Sequence, residues 1–209
     1  MNFTYEKNGA EIYRSSFAII RSEAKLGDVS PVLERVLVRM IHACGMVDIA
    51  ADVVTSAGAA EIGRAALANG ARILCDAQMI ASGITRSRLS SENDIVCTLS
   101  DPAVANISQR LMTTRSAAAV ELWQGRIDGS VIAIGNAPTA LFHLLELLAR
   151  CTERPALILG LPVGFVGAAE SKEALAANAM DIPYITLRGR RGGSAIATAA
   201  INALARDEE

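Results

Sequence analysis

The sequence predicts an α/β protein of three layers, α/β/α, built on a five-stranded parallel sheet with an N-terminal helical elaboration. Three observations predict it. Five short apolar runs, each about a strand long and most closed by Gly, Asp, Ser or Pro, occupy residues 71 to 188. Helical patterns separate the runs, and this alternation buries both faces of a parallel sheet. The 209 residues contain no linker, low-complexity tract or repeat, which suits one domain over residues 1–209.

Residues 9 to about 69 precede the first run and read as at least three helices. Two of them, "AEIYRSSFAIIRSEAK" and "PVLERVLVRMIHAC", are amphipathic. The second has Ser30 to cap it, Pro31 at its first position and Gly45 to close it. The five runs are "ARILCD" (71–76), "DIVCTL" (94–99), "SVIAIG" (130–135), "ALILGL" (156–161) and "PYITLR" (183–188). After the third, "NAPTALFHLLELLAR" offers Asn136 as N-cap and Pro138 in the first turn, with Leu141, Leu144, Leu145 and Leu148 on one stripe. "GAAESKEALAANA" and "GGSAIATAAINALAR" supply helices after the fourth and fifth.

Composition narrows the function. Hydrophobic residues make up 51% of the chain and its mean hydropathy is +0.31. No apolar run reaches the ~20 residues that span a bilayer, so the surplus belongs to a core or a subunit interface. The start "MNFTYEKNGAEIYRS" has no signal or presequence character, so a cytoplasmic location without export is expected. Cys44, Cys75, Cys97 and Cys151 lack metal-ligand spacing and read as reduced, mostly buried thiols, with no metal site. A net charge of −2 argues against general nucleic-acid binding. Of the 20 basic residues 17 are arginines, which suit bidentate capture of carboxylate or phosphate. A compositional bias shared with the many alanines accounts for the count better, so the positions of particular arginines must decide.

There are two histidines. At 100° per residue, Leu33, Val36, Leu37, Met40, Ile41 and Cys44 share one side of the second helix. Arg35, Arg39 and His42 share the other, within about 60° of one another. His42 is therefore either a solvated side chain or part of a site. The negative end of its helix favours imidazolium, and Arg39 opposes it until an anion arrives. His143 lies mid-helix, opposite the leucine stripe and three residues from Glu146, and reads as surface decoration.

Ligands of such sheets bind beyond the carboxyl ends of the strands. The segments there are rich in glycine and polar residues: "DAQMIASGITRSR", "GNAPTA", "GLPVGFVGAAESK" and "RGRRGGSA". The last is either an anion cradle or a tight turn with exposed arginines, and no nucleotide motif is present. "ITRSR" places Thr85, Arg86 and Arg88 just past a glycine, and "TRSAAA" places Arg115 at a helix start, where a cation invites an anionic partner. Ser16, among Ile12, Ile19 and Ile20, either bonds back to its own helix or faces a ligand.

Taken together, "YRSSFAIIRSEA", "VRMIHACG", "ILCDAQMIASGITR", "TTRSAAA", "GNAPTALFHLLELL", "LPVGFVGAAESKEAL" and "RGRRGGSAIATAAINAL" resemble the precorrin-8X methylmutase family of cobalamin biosynthesis over nearly the whole chain. The resemblance implies a flavodoxin-like fold, a homodimer and no cofactor. It implies an isomerase that moves a methyl group from C-11 to C-12 of precorrin-8X, giving hydrogenobyrinic acid. It makes His42 the proton donor, Ser16 and Arg39 substrate-binding, and Thr85 and Arg115 residues of the pocket. A methyl shift of this kind needs a polarised conjugated ring rather than a nucleophile or metal, and a polycarboxylate substrate needs scattered arginines around an apolar pocket. Three rivals stand beside this reading: the cobalt-precorrin-8 enzyme of the anaerobic branch, a flavin- or nucleotide-binding protein, and a non-catalytic tetrapyrrole carrier. "HACG" and the arginine-rich turn look closer to the aerobic form, and "CDAQMIASG" is a poor phosphate loop.

Overall fold

Alternation of side chains along short apolar strands builds the centre of the protein. The computed structural model describes residues 1–177 and 180–206. Five parallel strands follow the five runs: β2 (Ile73–Cys75), β3 (Ile95–Val96), β4 (Val131–Ile134), β5 (Leu157–Gly160) and β6 (Tyr184–Leu187). In β4, Val131 and Ala133 face one apolar cluster while Ile132 and Ile134 face another. Leu157 and Leu159 of β5 divide from Ile158 in the same way, so both faces are covered.

Helices α1 (Gly9–Glu23), α2 (Pro31–Cys44), α3 (Ala59–Ala68), α4 (Gln78–Gly83) and α9 (Ser194–Ala205) form the layer on one face. The other face carries α7 (Pro138–Leu148) and α8 (Ala168–Ala176), with α6 (Arg115–Glu121) against α7 and α5 (Ala103–Leu111) against α6. The α8 pattern read from the sequence runs two residues past Ala177, outside the described residues. The three layers stand as expected. The strand order β3-β2-β4-β5-β6 is the 2-1-3-4-5 order of a flavodoxin-like sheet, with its switch point between β2 and β4.

The expectation of five strands is corrected to six. Val53–Thr55 form β1, antiparallel to β6 at the sheet's edge, with Val53 opposite Leu187 and Thr55 opposite Ile185. Its three residues are half-buried and follow a 3₁₀ turn, Val47–Asp52, so no long apolar run marks them. The N-terminal section is thus three helices and an edge strand.

Helix α2 follows its sequence signals closely. Ser30 Oγ accepts from the Leu33 N–H at 3.2 Å, Pro31 opens the helix, and Gly45 ends it in the left-handed conformation (φ 69°). Its apolar side, with Val38 added to the expected set, packs on α9. Helix α7 departs from expectation. Pro138 is in its first turn, but Ala137 occupies the cap position and Asn136 makes no side-chain cap. The acceptors come from the residue just after β2 instead: Asp76, buried, takes the N–H groups of Gly135 (2.9 Å), Asn136 (3.0 Å) and Ala137 (2.8 Å). Burial pushes the Asp76 carboxyl above the usual carboxylate range, and the three N–H groups pull it back.

Candidate active site

The carboxyl end of α2 and the outward side of α9 face each other across a cleft of about 370 Å³. Arg39, His42 and Ala43 of α2 form one wall, and Ala195, Thr198, Ala199 and Asn202 of α9 form the opposite one. Tyr13 of α1 and Met79 and Gly83 of α4 complete it. The four α9 positions recur at i, i+3, i+4 and i+7, one stripe of a helix. A second stripe of α9, including Ile196, Ala200 and Leu204, packs into the core. Gly83 is required here, because a Cβ would stand 2.8 Å from Thr198 Cγ2 and push α4 away from α9.

His42 is exposed, as its position opposite the apolar side predicts. It belongs to an aromatic cluster: its ring centroid lies 5.3 Å from that of Tyr13 and 5.3 Å from that of Phe17, the latter edge-on at 82°. Arg39 lies over the same Phe17 ring, its guanidinium carbon 5.3 Å from the centroid. Phe17 is buried, so the imidazole and the guanidinium lean on a fixed plate.

A second cavity, about 390 Å³ and mainly polar, shares Tyr13, Arg39 and Asn202 with the first. Thr85, Ser87, Arg88 and Arg206 line the rest. The structure therefore brings His42, Arg39 and Thr85 to one pair of adjoining cavities. Ser16, half-buried on α1 one turn beyond Tyr13, lines neither. Arg115 lines neither as well; its Nη2 donates to the Leu99 carbonyl at 3.3 Å, at the start of α6. The anionic partner expected of it is met here by a carbonyl oxygen.

Two readings are corrected. His143 pairs with Glu121 of α6, Nε2 to Oε1 at 2.5 Å, rather than with Glu146, because packing of α6 on α7 brings that carboxylate closer. Of the cysteines, all free, Cys75 is buried and Cys44, Cys97 and Cys151 are half-buried, so "mostly buried" overstates three of them. Burial pushes the Cys75 thiol well up, away from reactivity.

The "RGRRGGSA" turn resolves into a tied loop. Arg191 pairs with Asp48 at 2.5 Å and with Asp52, both from the 3₁₀ turn before β1. The Arg191 guanidinium holds the Asp48 carboxyl below its usual range. Buried Lys172 of α8 donates to the Arg191 carbonyl at 2.6 Å, and burial brings its ammonium down to about 8 against the pull of Asp52. Gly192 passes so close to the β5 end that a Cβ would stand 2.3 Å from the Leu161 oxygen. The switch point is also occupied by the protein itself: the backbone N–H groups at the start of α7, which could cradle a phosphate, are taken by Asp76.

Fold and cleft are those of an α/β enzyme: a flavodoxin-like sheet with an imidazole and an arginine in the wall of a partly apolar cleft. Comparison with known proteins supplies the family. The model of the CbiC precorrin-8X methylmutase family matches residues 11–207. The precorrin-8X methylmutase of Pseudomonas aeruginosa is 58% identical over 98% of this chain and 99% of its own. That of Sinorhizobium is 53% identical over 98% and 97%. The cobalt-precorrin-8 methylmutase of Priestia megaterium is 35% identical over 93% and 86%. A solved precorrin-8X methylmutase from Thermus thermophilus superposes with a TM-score of 0.85 at 42% identity, covering 94% of this chain and 95% of the other. The chain belongs to the precorrin-8X methylmutase family and is an isomerase of that family.

Proposed function

We propose that this protein converts precorrin-8X to hydrogenobyrinic acid, moving the methyl group from C-11 to C-12, with His42 as proton donor. The observation that carries the reading is the place of His42: beside Arg39, in one wall of a partly apolar cleft that α9 faces from the other side and α4 helps to complete. A macrocycle with an apolar face and a carboxylate rim matches an apolar cleft adjoining a polar, arginine-lined one. Protonation of a ring nitrogen by His42 draws electron density through the conjugated system. The C-11–methyl bond then breaks as the C-12–methyl bond forms. Substrate and product are isomers, so the lent proton returns by the end of the cycle. One positioned acid contributes roughly 10²–10⁴-fold.

Arg39 and Thr85 bind substrate in this reading. Ser16 and Arg115 join them through the family resemblance, and their place outside both cavities fits a site completed by a second copy of the chain. A homodimer is further supported by exposed apolar side chains at the strand ends, Phe165 (84% exposed) and Val166 (90%). No helix among the described residues is long and apolar enough to cross a membrane. Four free cysteines suit a reducing cytoplasm. The aerobic substrate is preferred over its cobalt counterpart because the two precorrin-8X relatives stand at 58% and 53% identity, whereas cobalt-precorrin-8 relatives stand at 33% to 39%.

Incubation of the purified protein with precorrin-8X tests the reading. The absorption spectrum of hydrogenobyrinic acid is expected to appear with multiple turnovers. A spectrum that shifts only once per protein, without turnover, would leave a carrier and defeat it.

A further inference from the structure

The polar cavity beside the cleft has a construction of its own. Asn202, on the α9 stripe that faces the cleft, uses both ends of its amide on one turn of chain. Its Oδ1 accepts from the Thr85 N–H at 2.9 Å, and its Nδ2 donates to the Gly83 carbonyl at 3.1 Å. This clamp sets the segment from Gly83 to Thr85, which leads into the short 3₁₀ turn Arg86–Arg88. Arg88 is fixed in turn: its Nε donates to the Asn202 carbonyl at 3.0 Å. Arg206, at the end of α9, reaches the same cavity, as do the hydroxyl-bearing Tyr13, Thr85 and Ser87.

Three arginines, Arg39, Arg88 and Arg206, thus line one space of about 390 Å³ together with hydroxyl-bearing side chains. That donor set is chemically selective. Guanidinium forks and hydroxyls together recognise a carboxylate through charge-assisted bonds, and no apolar group would choose such a wall. The neighbouring cleft has the opposite character, apolar apart from His42, Arg39 and a few polar tips. Arg39 and Tyr13 stand on the boundary and belong to both.

We propose that this second cavity is a carboxylate subsite: Arg88 and Arg206 bind a peripheral carboxylate of the tetrapyrrole while Arg39 lies between it and the ring, and Asn202 is the positioning residue that sets Thr85 and Arg88 for it. The proposal rests on the tetrapyrrole reading above. It adds that the ring is oriented over His42 by its rim, from the α9 carboxyl end, rather than by the apolar cleft alone.

The test is a binding titration of the intact protein with hydrogenobyrinic acid and, separately, with its fully methyl-esterified form. Arg88→Gln and Arg206→Gln should each raise Kd for the acid about tenfold or more, since a hydrogen bond between charged groups is lost. Neither substitution should change Kd for the ester. In turnover the loss should fall on KM, whereas that of His42→Ala should fall on kcat. Asn202→Ala should raise Kd for the acid as well and leave Kd for the ester at the parent value, a split that a merely structural role would not produce. Parent-like Kd for the acid in both arginine variants would overturn the subsite. So would parent-like Kd combined with a lowered melting temperature, which would assign the arginines to the fold. Turnover of precorrin-8X by the unsubstituted protein tests the activity independently, so failure of one reading is told from failure of the other.

Discussion

The imidazole of His42 stands edge-on to the ring of Phe17, centroids 5.3 Å apart and planes at 82°. Phe17 is buried and His42 is exposed, so a core residue sets the direction of a side chain whose other edge is open to the cleft. Tyr13 and Arg39 complete the enclosure. His42→Ala is expected to lower kcat by about 10²–10⁴-fold while Kd for hydrogenobyrinic acid stays within about tenfold. Single-turnover spectra and an equilibrium titration separate these. Near-normal kcat would end the acid role.

Asp76 is expected to matter for stability in a way its type alone does not suggest. Both carboxylate oxygens are used on three backbone N–H groups at the switch point; the bond to Gly135 is buried and those to Asn136 and Ala137 are half-buried. Asp76→Asn swaps one acceptor for an NH₂ that confronts an N–H, leaving a buried donor unmatched at a cost of about 1–3 kcal/mol. For a chain of this size each kcal/mol lowers Tm by about 2–4 °C. Calorimetry of the variant checks this. An unchanged Tm would mean the start of α7 can be satisfied without the carboxylate.

Much of this is legible in the sequence where the chemistry is local. Ser30, Pro31 and Gly45 bound α2 correctly because caps act within one turn, and the side opposite the apolar residues places Arg39 and His42 together. Features set by distant chain are not legible. The α7 cap comes from a carboxylate 60 residues away from Asn136, so the nearby Asn136, with a suitable side chain, is bypassed. Glu121 displaces Glu146 as the partner of His143 for the same reason. Strand β1 is three residues long at an antiparallel edge, too short to show a period. The cleft-facing stripe of α9 is interleaved with a core-facing one, and a helix rich in alanine hides both. Nor could the composition of "RGRRGGSA" reveal that Asp48 and Asp52 would claim Arg191.

Lys172 gives a dependence on pH. Burial brings its ammonium from the ordinary 10.5 to about 8 in the folded protein. Between those values the unfolded chain holds a proton that the folded one has released, so stability rises with pH across the window. The stability that depends on the neutral amine is fully present above 10.5 and is lost as pH falls through about 8. At about 1.4 kcal/mol per unit, the span is at most about 3.5 kcal/mol. The sign is isolated by comparison with Lys172→Met, which cannot titrate. Urea unfolding at about pH 7 and about pH 10 should show the parent gaining on the variant at the higher pH. A gap that stays flat or shrinks would mean the bond to the Arg191 carbonyl holds the charge after all.

Arg115 offers a test of how the site is assembled. It lines neither cavity of its own subunit, yet the family resemblance makes it a pocket residue. Both statements hold if Arg115 reaches the ligand of the neighbouring subunit in a two-fold dimer. His42→Ala and Arg115→Ala subunits, each poorly active alone at substrate well below KM, then complement one another. In a mixed dimer one site collects both defects and the other has neither. Random reassortment of equal amounts makes half of the dimers mixed, so roughly a quarter of parent turnover should return. Turnover in the mixture equal to the mean of the two separate variants would place Arg115 on its own subunit's ligand or on none. The same mixture made with Arg39→Ala in place of Arg115→Ala should show no recovery, because Arg39 and His42 share one wall of one cleft.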